Sequence, residues 1–249
     1  MQHLETEPDS ASPLQLDEVF LPPRPARRAV EQGLATQFAA CMDDLEERLG
    51  AEGLSLAHML RAEIHVTRDG PDAYGALQEA FLSGFAAEPR PARCVSAVPP
   101  FPGGACVALG AVAARARPDA AGAVIAADGP APCAPFPHAR AHGQGLWVTA
   151  QVGSDPATGS LAPVPGGSGP QLRAALANLA AILRAGGSAP ERVVHARLQF
   201  VAEEERDMLA AIVAESRLPP GAVALSHVPF IPTAQSGVTV KIDAVARRG

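Results

Sequence analysis

The sequence predicts an α+β protein built from two tandem copies of one unit, each a mixed sheet with two helices packed on one face. Three observations predict it. Phe38, Met42, Leu45 and Leu49 fall on one face of a helix, and Leu172, Leu176, Leu179 and Leu183 repeat that spacing at a constant offset of 134 (38 to 172, 49 to 183). Ile64 and Val66 recur as Leu198 and Phe200 at the same offset, so the match runs through a helix into the strand that follows. The 249 residues fit two units of about 110–130 residues each.

The elements follow in order. Residues 1–13 are polar and Pro/Ser-rich and read as a loose tail. Gln15–Leu21 reads as a short strand that Pro22, Pro23 and Pro25 end. A helix over Arg28–Leu49 stops at Gly50 and Gly53. Ala62–Thr67 alternates as a strand, Asp69–Asp72 breaks the chain, and a second helix spans Ala73–Phe85. Strands at Ala92–Val98 and Ala105–Arg115 close the first unit, 14–118. Residues 119–135 form an Ala/Gly/Pro-rich linker with a strand at Ala123–Ala126. The second unit, 136–249, carries a strand at Leu146–Val152, a turn at Ser154–Gly159 and a Gly/Ser loop at Pro165–Gly169. A helix at Pro170–Ala185, a strand at Val193–Val201, a helix at Glu203–Ser216 and strands at Val223–Val228 and Gly237–Ala246 complete it. Two helices cover only one face of each sheet. The other face, small and apolar in the first unit, suits packing on a second sheet.

Bulk numbers exclude several classes. Apolar residues make up 47% and mean hydropathy is +0.09, enough for a packed core. A net charge of −6 argues against a broad nucleic-acid surface. No signal peptide opens the chain and no apolar run approaches the ~20 residues that span a bilayer. The four cysteines, Cys41, Cys94, Cys106 and Cys133, make no CxxC pair and read as reduced thiols of a cytoplasmic protein. His138 and His142 are four apart but sit among prolines and glycines, so they read as solvated loop histidines and not as a helical metal face.

Four segments resemble the RidA/YjgF/UK114 family, also called endoribonuclease L-PSP. They are Arg68–Tyr74 with Glu79–Phe81, Pro91-Ala92-Arg93-Cys94-Val95, Asp155-Pro156-Ala157-Thr158-Gly159, and Lys241–Ala246. The resemblance covers roughly residues 30–115 and 136–248. It implies a chorismate-mutase-like fold, assembly into rings of three domains (here a homotrimer of six), clefts between neighbouring domains, and hydrolysis of reactive enamines or imines such as 2-aminoacrylate to a keto acid and ammonia. It calls for no cofactor and no metal.

The family places an Arg in the Pro-Ala-Arg segment to hold the substrate carboxylate, and a Glu on the last strand to activate water. Arg93 matches the first, while Ala108 stands at the acid position of the first unit. In the second unit the Arg is replaced within Ala222-Val223-Ala224, and the acid position falls on Lys241, with Asp243 two residues on. The composite reading joins Arg93 as carboxylate anchor to groups from the second unit: His138, Arg140 and His142 on its hairpin, and Lys241 and Asp243 on its last strand. Lys241, the only lysine, either forms an imine or holds an anion there, or is a solvated ammonium near the chain end. Cys94, beside Arg93, and Cys106, on the face of Ala108 and Gly110, stand at the rim of the candidate site, each with a packing role as the alternative. Two other functions stay open: a metabolite-binding or scaffold protein with a degenerate cleft, and a divergent chorismatase-type enzyme.

Overall fold

The computed structural model describes residues 17–27, 32–67, 71–119, 122–130 and 135–249. The tail at 1–13 and Cys133 lie outside the described residues. The first sheet holds β1 (Glu18–Pro25), β2 (Met59–Val66), β3 (Ala92–Ala97) and β4 (Val107–Ala114) in the order β1-β4-β2-β3. Helices α1 (Leu34–Ala51) and α2 (Pro71–Gly84) cover one of its faces. The second sheet holds β5 (Ala123–Val124), β6 (Ala139–His142), β7 (Gly145–Val152), β8 (Val193–Phe200), β9 (Val223–His227) and β10 (Val240–Arg247) in the order β5-β6-β7-β10-β8-β9. Helices α3 (Ser168–Ala185) and α4 (Arg206–Glu215) cover it. Among the described residues only β2–β3 and β8–β9 pair parallel; the other ladders are antiparallel. The order β1-β4-β2-β3 thus recurs as β7-β10-β8-β9, each with a helix in the parallel crossover.

The repeated apolar face does what its spacing predicts. Phe38, Leu45 and Leu49 are buried on α1, and Leu172, Leu179 and Leu183 on α3, with Ile64 and Leu198 beneath them on β2 and β8. The prolines after Leu21 do not end the first strand. β1 is an edge strand that runs through Pro22, Pro23 and Pro25, and its register against β4 shifts between Leu21 and Arg24. Proline costs nothing on a strand side that donates to no neighbour, and the shift absorbs the misfit. The linker supplies β5, which pairs with β6. The hairpin β6–β7 is also ordered sheet; its first strand is only four residues long, too short for alternation to declare it.

The faces left bare by the helices meet each other within the chain. Trp147 on β7, the only tryptophan, is buried against Leu60, Ala92 and Ala114 of the first sheet. The backbone N–H of Arg93, on edge strand β3, donates to Thr149 Oγ1 on β7 at 3.1 Å, and that hydroxyl donates onward to the Pro137 carbonyl at 2.8 Å. An edge N–H that would otherwise face solvent is therefore used to clamp one sheet to the other.

Four charged side chains cross the same interface. Arg61 and Glu63 point from β2, Arg197 from β8 and Asp243 from β10. Arg61 pairs with Glu63 and, at 2.8 Å, with Asp243; Arg197 reaches Asp243 at 3.1 Å and Glu63 at 3.4 Å. Glu63 and Arg197 are themselves related by the 134-residue offset, so equivalent strand positions carry opposite charges and meet.

Candidate site at the inter-sheet cavity

A cavity of about 70 Å³ opens where β3 and α2 of the first unit face β6, β7 and β10 of the second. Arg93 enters from β3. Its side chain lies on the helix-covered face, where Tyr74, Gln78 and Phe81 present one stripe of α2 at i, i+4 and i+7. The guanidinium donates to Gln78 Oε1 at 2.5 Å and to the Tyr74 hydroxyl, and it sits 5.4, 5.1 and 4.7 Å from the ring centroids of Tyr74, Phe81 and Phe136. It is 3% exposed, yet among the described residues no carboxylate lies within ion-pair distance of it. Aromatic faces and two neutral acceptors hold the cation without neutralising it. Two of the five guanidinium N–H groups serve those acceptors, which leaves donors for a ligand.

Lys241 enters from β10 on the opposite wall. It is buried, and its Nζ donates to the Val95 carbonyl. Burial pulls its ammonium down from an ordinary 10.5 to about 7, with nearby Arg197 and Arg93 pushing the same way. A cavity walled by two cations from opposite units, without an intervening carboxylate among the described residues, offers an anion two charged donors and a group that can exchange a proton near neutral pH. The depressed lysine carries a stability signature. Between pH 7 and 10.5 the unfolded amine keeps its proton while the native amine has lost it, so native stability rises with pH across that window and is flat on either side. The slope is about 1.4 kcal/mol per pH unit for one proton. Lys241→Met removes it: chemical denaturation at pH 7 and pH 10 gives a larger gain for the wild type than for the variant. Parallel profiles would place the amine in solvent.

The other sequence candidates separate by position. His138 lines the cavity but is buried, not a solvated loop residue. Its Nδ1 accepts the Ala126 N–H at 3.0 Å, burial lowers its pKa, and Nε2 is buried with no hydrogen-bond partner among the described residues. That neutral tautomer has no free base nitrogen, so His138 shapes the wall. Asp243 does not line the cavity; both of its oxygens are engaged by Arg61 and Arg197. Burial would raise its carboxyl, but the two guanidiniums hold it at about 2. Cys94 alternates away from Arg93 toward that charge network, and burial raises its thiol. Cys106 precedes β4, so strand alternation does not govern it. It belongs to the helix-side core, where its N–H donates to Gln37 Oε1 at 2.8 Å. Arg140 is buried outside the lining and donates to the Asp119 carbonyl at 3.3 Å. His142 also lies outside it. The three described cysteines are unbridged.

The sequence reading overlooked Tyr74, Gln78, Thr149 and Gln151 as parts of the site. The stripe Tyr74, Gln78, Phe81 was readable from spacing. The pair Thr149 and Gln151, which line the cavity, was readable from β7 alternation, but nothing local says which partner either stripe meets.

A family model described as endoribonuclease L-PSP matches residues 126–247. Solved structures similar to the chain include yeast YEO7, with 21% identity over 51% of this chain and 98% of that one at a TM-score of 0.46. RidA from the Antarctic bacterium Psychrobacter sp. shows 23% identity over 50% and 97% at 0.45. The YjgF gene product of E. coli shows 22% over 51% and 98% at 0.45. No curated protein matches the chain significantly. No described helix is long and apolar enough to cross a membrane.

Proposed function

Since the chain belongs, through residues 126–247, to the endoribonuclease L-PSP family of RidA and YjgF, we propose that its inter-sheet cavity binds a small carboxylate-bearing enamine or imine and hydrolyses it to a keto acid and ammonia. The observation that carries this reading is the Arg93 guanidinium, buried at the cavity wall with only neutral partners within reach among the described residues. Arg93 anchors the carboxylate with its remaining N–H groups. The enamine takes a proton at its methylene carbon to become the imine. Water then adds at the imine carbon, and the carbinolamine expels ammonia. Lys241, near its titration midpoint at neutral pH, accepts the proton from water and returns it to the leaving nitrogen. The same reading carries self-association, for which the resemblance implies a homotrimer of six domains, and native mass spectrometry reports the stoichiometry.

The direct test supplies 2-aminoacrylate generated in situ and follows pyruvate release. The wild type accelerates release and Arg93→Ala returns it to the uncatalysed rate. Wild-type release at the uncatalysed rate overturns the hydrolase reading.

A further inference from the structure

Lys241 is equipped for more than proton exchange. It is the chain's only lysine, it is buried, and its Nζ is held at the cavity wall by the Val95 carbonyl. Val95 lies two residues beyond Arg93 on β3, about 7 Å along the strand. Guanidinium and amine therefore address the same small space from fixed points on one strand edge. In a 2-oxo or 2-imino acid the electrophilic carbon is bonded directly to the carboxylate carbon. A ligand whose carboxylate is held by Arg93 has its C2 within the confines that Lys241 borders.

We infer that the Lys241 amine bonds covalently to C2 of a 2-imino or 2-oxo acid anchored by Arg93, forming a Schiff base within the cavity. This rests on the carboxylate-binding reading above and deepens it. With an imine substrate, the Nζ lone pair attacks C2, the C2–N bond of the substrate breaks, and ammonia leaves with the two protons that Nζ gives up. The product is a lysine imine of the keto acid. Water then adds to C2, the C2–Nζ bond breaks, and the keto acid departs with the free amine restored. With a 2-oxo acid the same bond forms with loss of one water. No electron transfer is involved in either direction.

A neutral amine is required for the attack, and burial supplies it: the ammonium is pulled down to about 7, where half is unprotonated. The cavity of about 70 Å³ limits the acid to a short one, of pyruvate size. Val95 is an acceptor and not a competing nucleophile, and Cys94 points to the other face of β3 with its thiol kept protonated by burial. Lys241 is thus the one primary amine the cavity presents among the described residues.

The experiment incubates the full chain with pyruvate, reduces with borohydride, and maps the modified peptide by mass spectrometry. In parallel, calorimetry without borohydride measures pyruvate binding. The inference expects a reduced pyruvate adduct on Lys241, absent from Lys241→Arg and at least tenfold less in Arg93→Met at the same pyruvate concentration. Modification confined to the α-amino group, or equal in both variants and wild type, overturns it. No adduct together with Arg93-dependent binding overturns the Schiff base and leaves the carboxylate site standing. No adduct and no binding removes both.

Discussion

Asp243→Asn destabilises the chain by about 3–5 kcal/mol at pH 7, the cost of breaking a buried ion pair from one side. The carboxylate is 2% exposed and accepts from Arg61 at 2.8 Å and Arg197 at 3.1 Å. Asparagine keeps the shape but removes the charge, and it turns an amide N–H₂ toward a guanidinium that can only donate. Arg61 and Arg197 would then share Glu63 alone. Because the four groups join β2 to β8 and β10, the loss falls on the contact between the two sheets as well as on each sheet's own stability. Urea midpoints at constant slope measure it. Two companion results distinguish a charge effect from a packing effect. Asp243 is held at about 2 against an ordinary 3.8, so its contribution is complete above pH 3.8 and disappears as pH falls through 2. The gap between the wild-type and Asn curves therefore narrows below pH 4. The double variant Arg61→Met/Asp243→Leu removes one charge of each sign and leaves Glu63 paired with Arg197; it costs less than Asp243→Leu alone. A gap undiminished at pH 2, or a double variant worse than the single, would assign the effect to lost packing.

The same network marks where sequence reasoning stops. The helical repeat, the strands that follow it and the parallel crossovers were legible because each depends on local periodicity: α1 and α3 bury the same four-residue rhythm, and Ile64 and Leu198 sit beneath them. The unhelical faces were also legible as faces. What they would touch was not, since that is set by how two sheets meet. Lys241 and Asp243 alternate together on β10, yet one borders a cavity and the other is locked between guanidiniums. His138 read as a loop residue because Pro135, Pro137, Gly143 and Gly145 surround it and the short strand β6 that it precedes, while β5 from the linker pairs with that strand. Cys106 was assigned to the wrong face by counting alternation back through a residue that precedes its strand.

Arg93 and Lys241 both line the cavity. A lysine at position 241, rather than the acid that the resemblance implies there, changes the electrostatics of the cavity. An acid there would compete with a substrate carboxylate for Arg93. A lysine adds to the attraction, and its own proton is loosened by the same burial that strengthens the anion's interaction with Arg93.

Arg93→Met weakens binding of pyruvate by about 100-fold, because two charge-assisted hydrogen bonds from a buried fork are lost, each worth about 1.5–3 kcal/mol, against partial replacement by water. The discriminating ligand is methyl pyruvate, which matches pyruvate in the ketone but carries no charge. Wild type prefers pyruvate by a factor of the same order, and Arg93→Met prefers neither. Arg93→Lys falls between them: a point charge survives, but the planar fork that reaches Tyr74, Gln78 and the ligand together does not. Raising the salt from 0.1 to 0.5 M changes the wild-type preference little, since a guanidinium 3% exposed is poorly screened. Arg93 has a competing structural role as the hub of Tyr74, Phe81 and Phe136, and that role predicts a different pattern. If packing were all, Arg93→Met would lower the urea midpoint and weaken both ligands equally. Loss of the pyruvate-to-ester ratio, measured by calorimetry on folded variant, assigns the guanidinium to the carboxylate; a ratio near one in the wild type rejects the assignment.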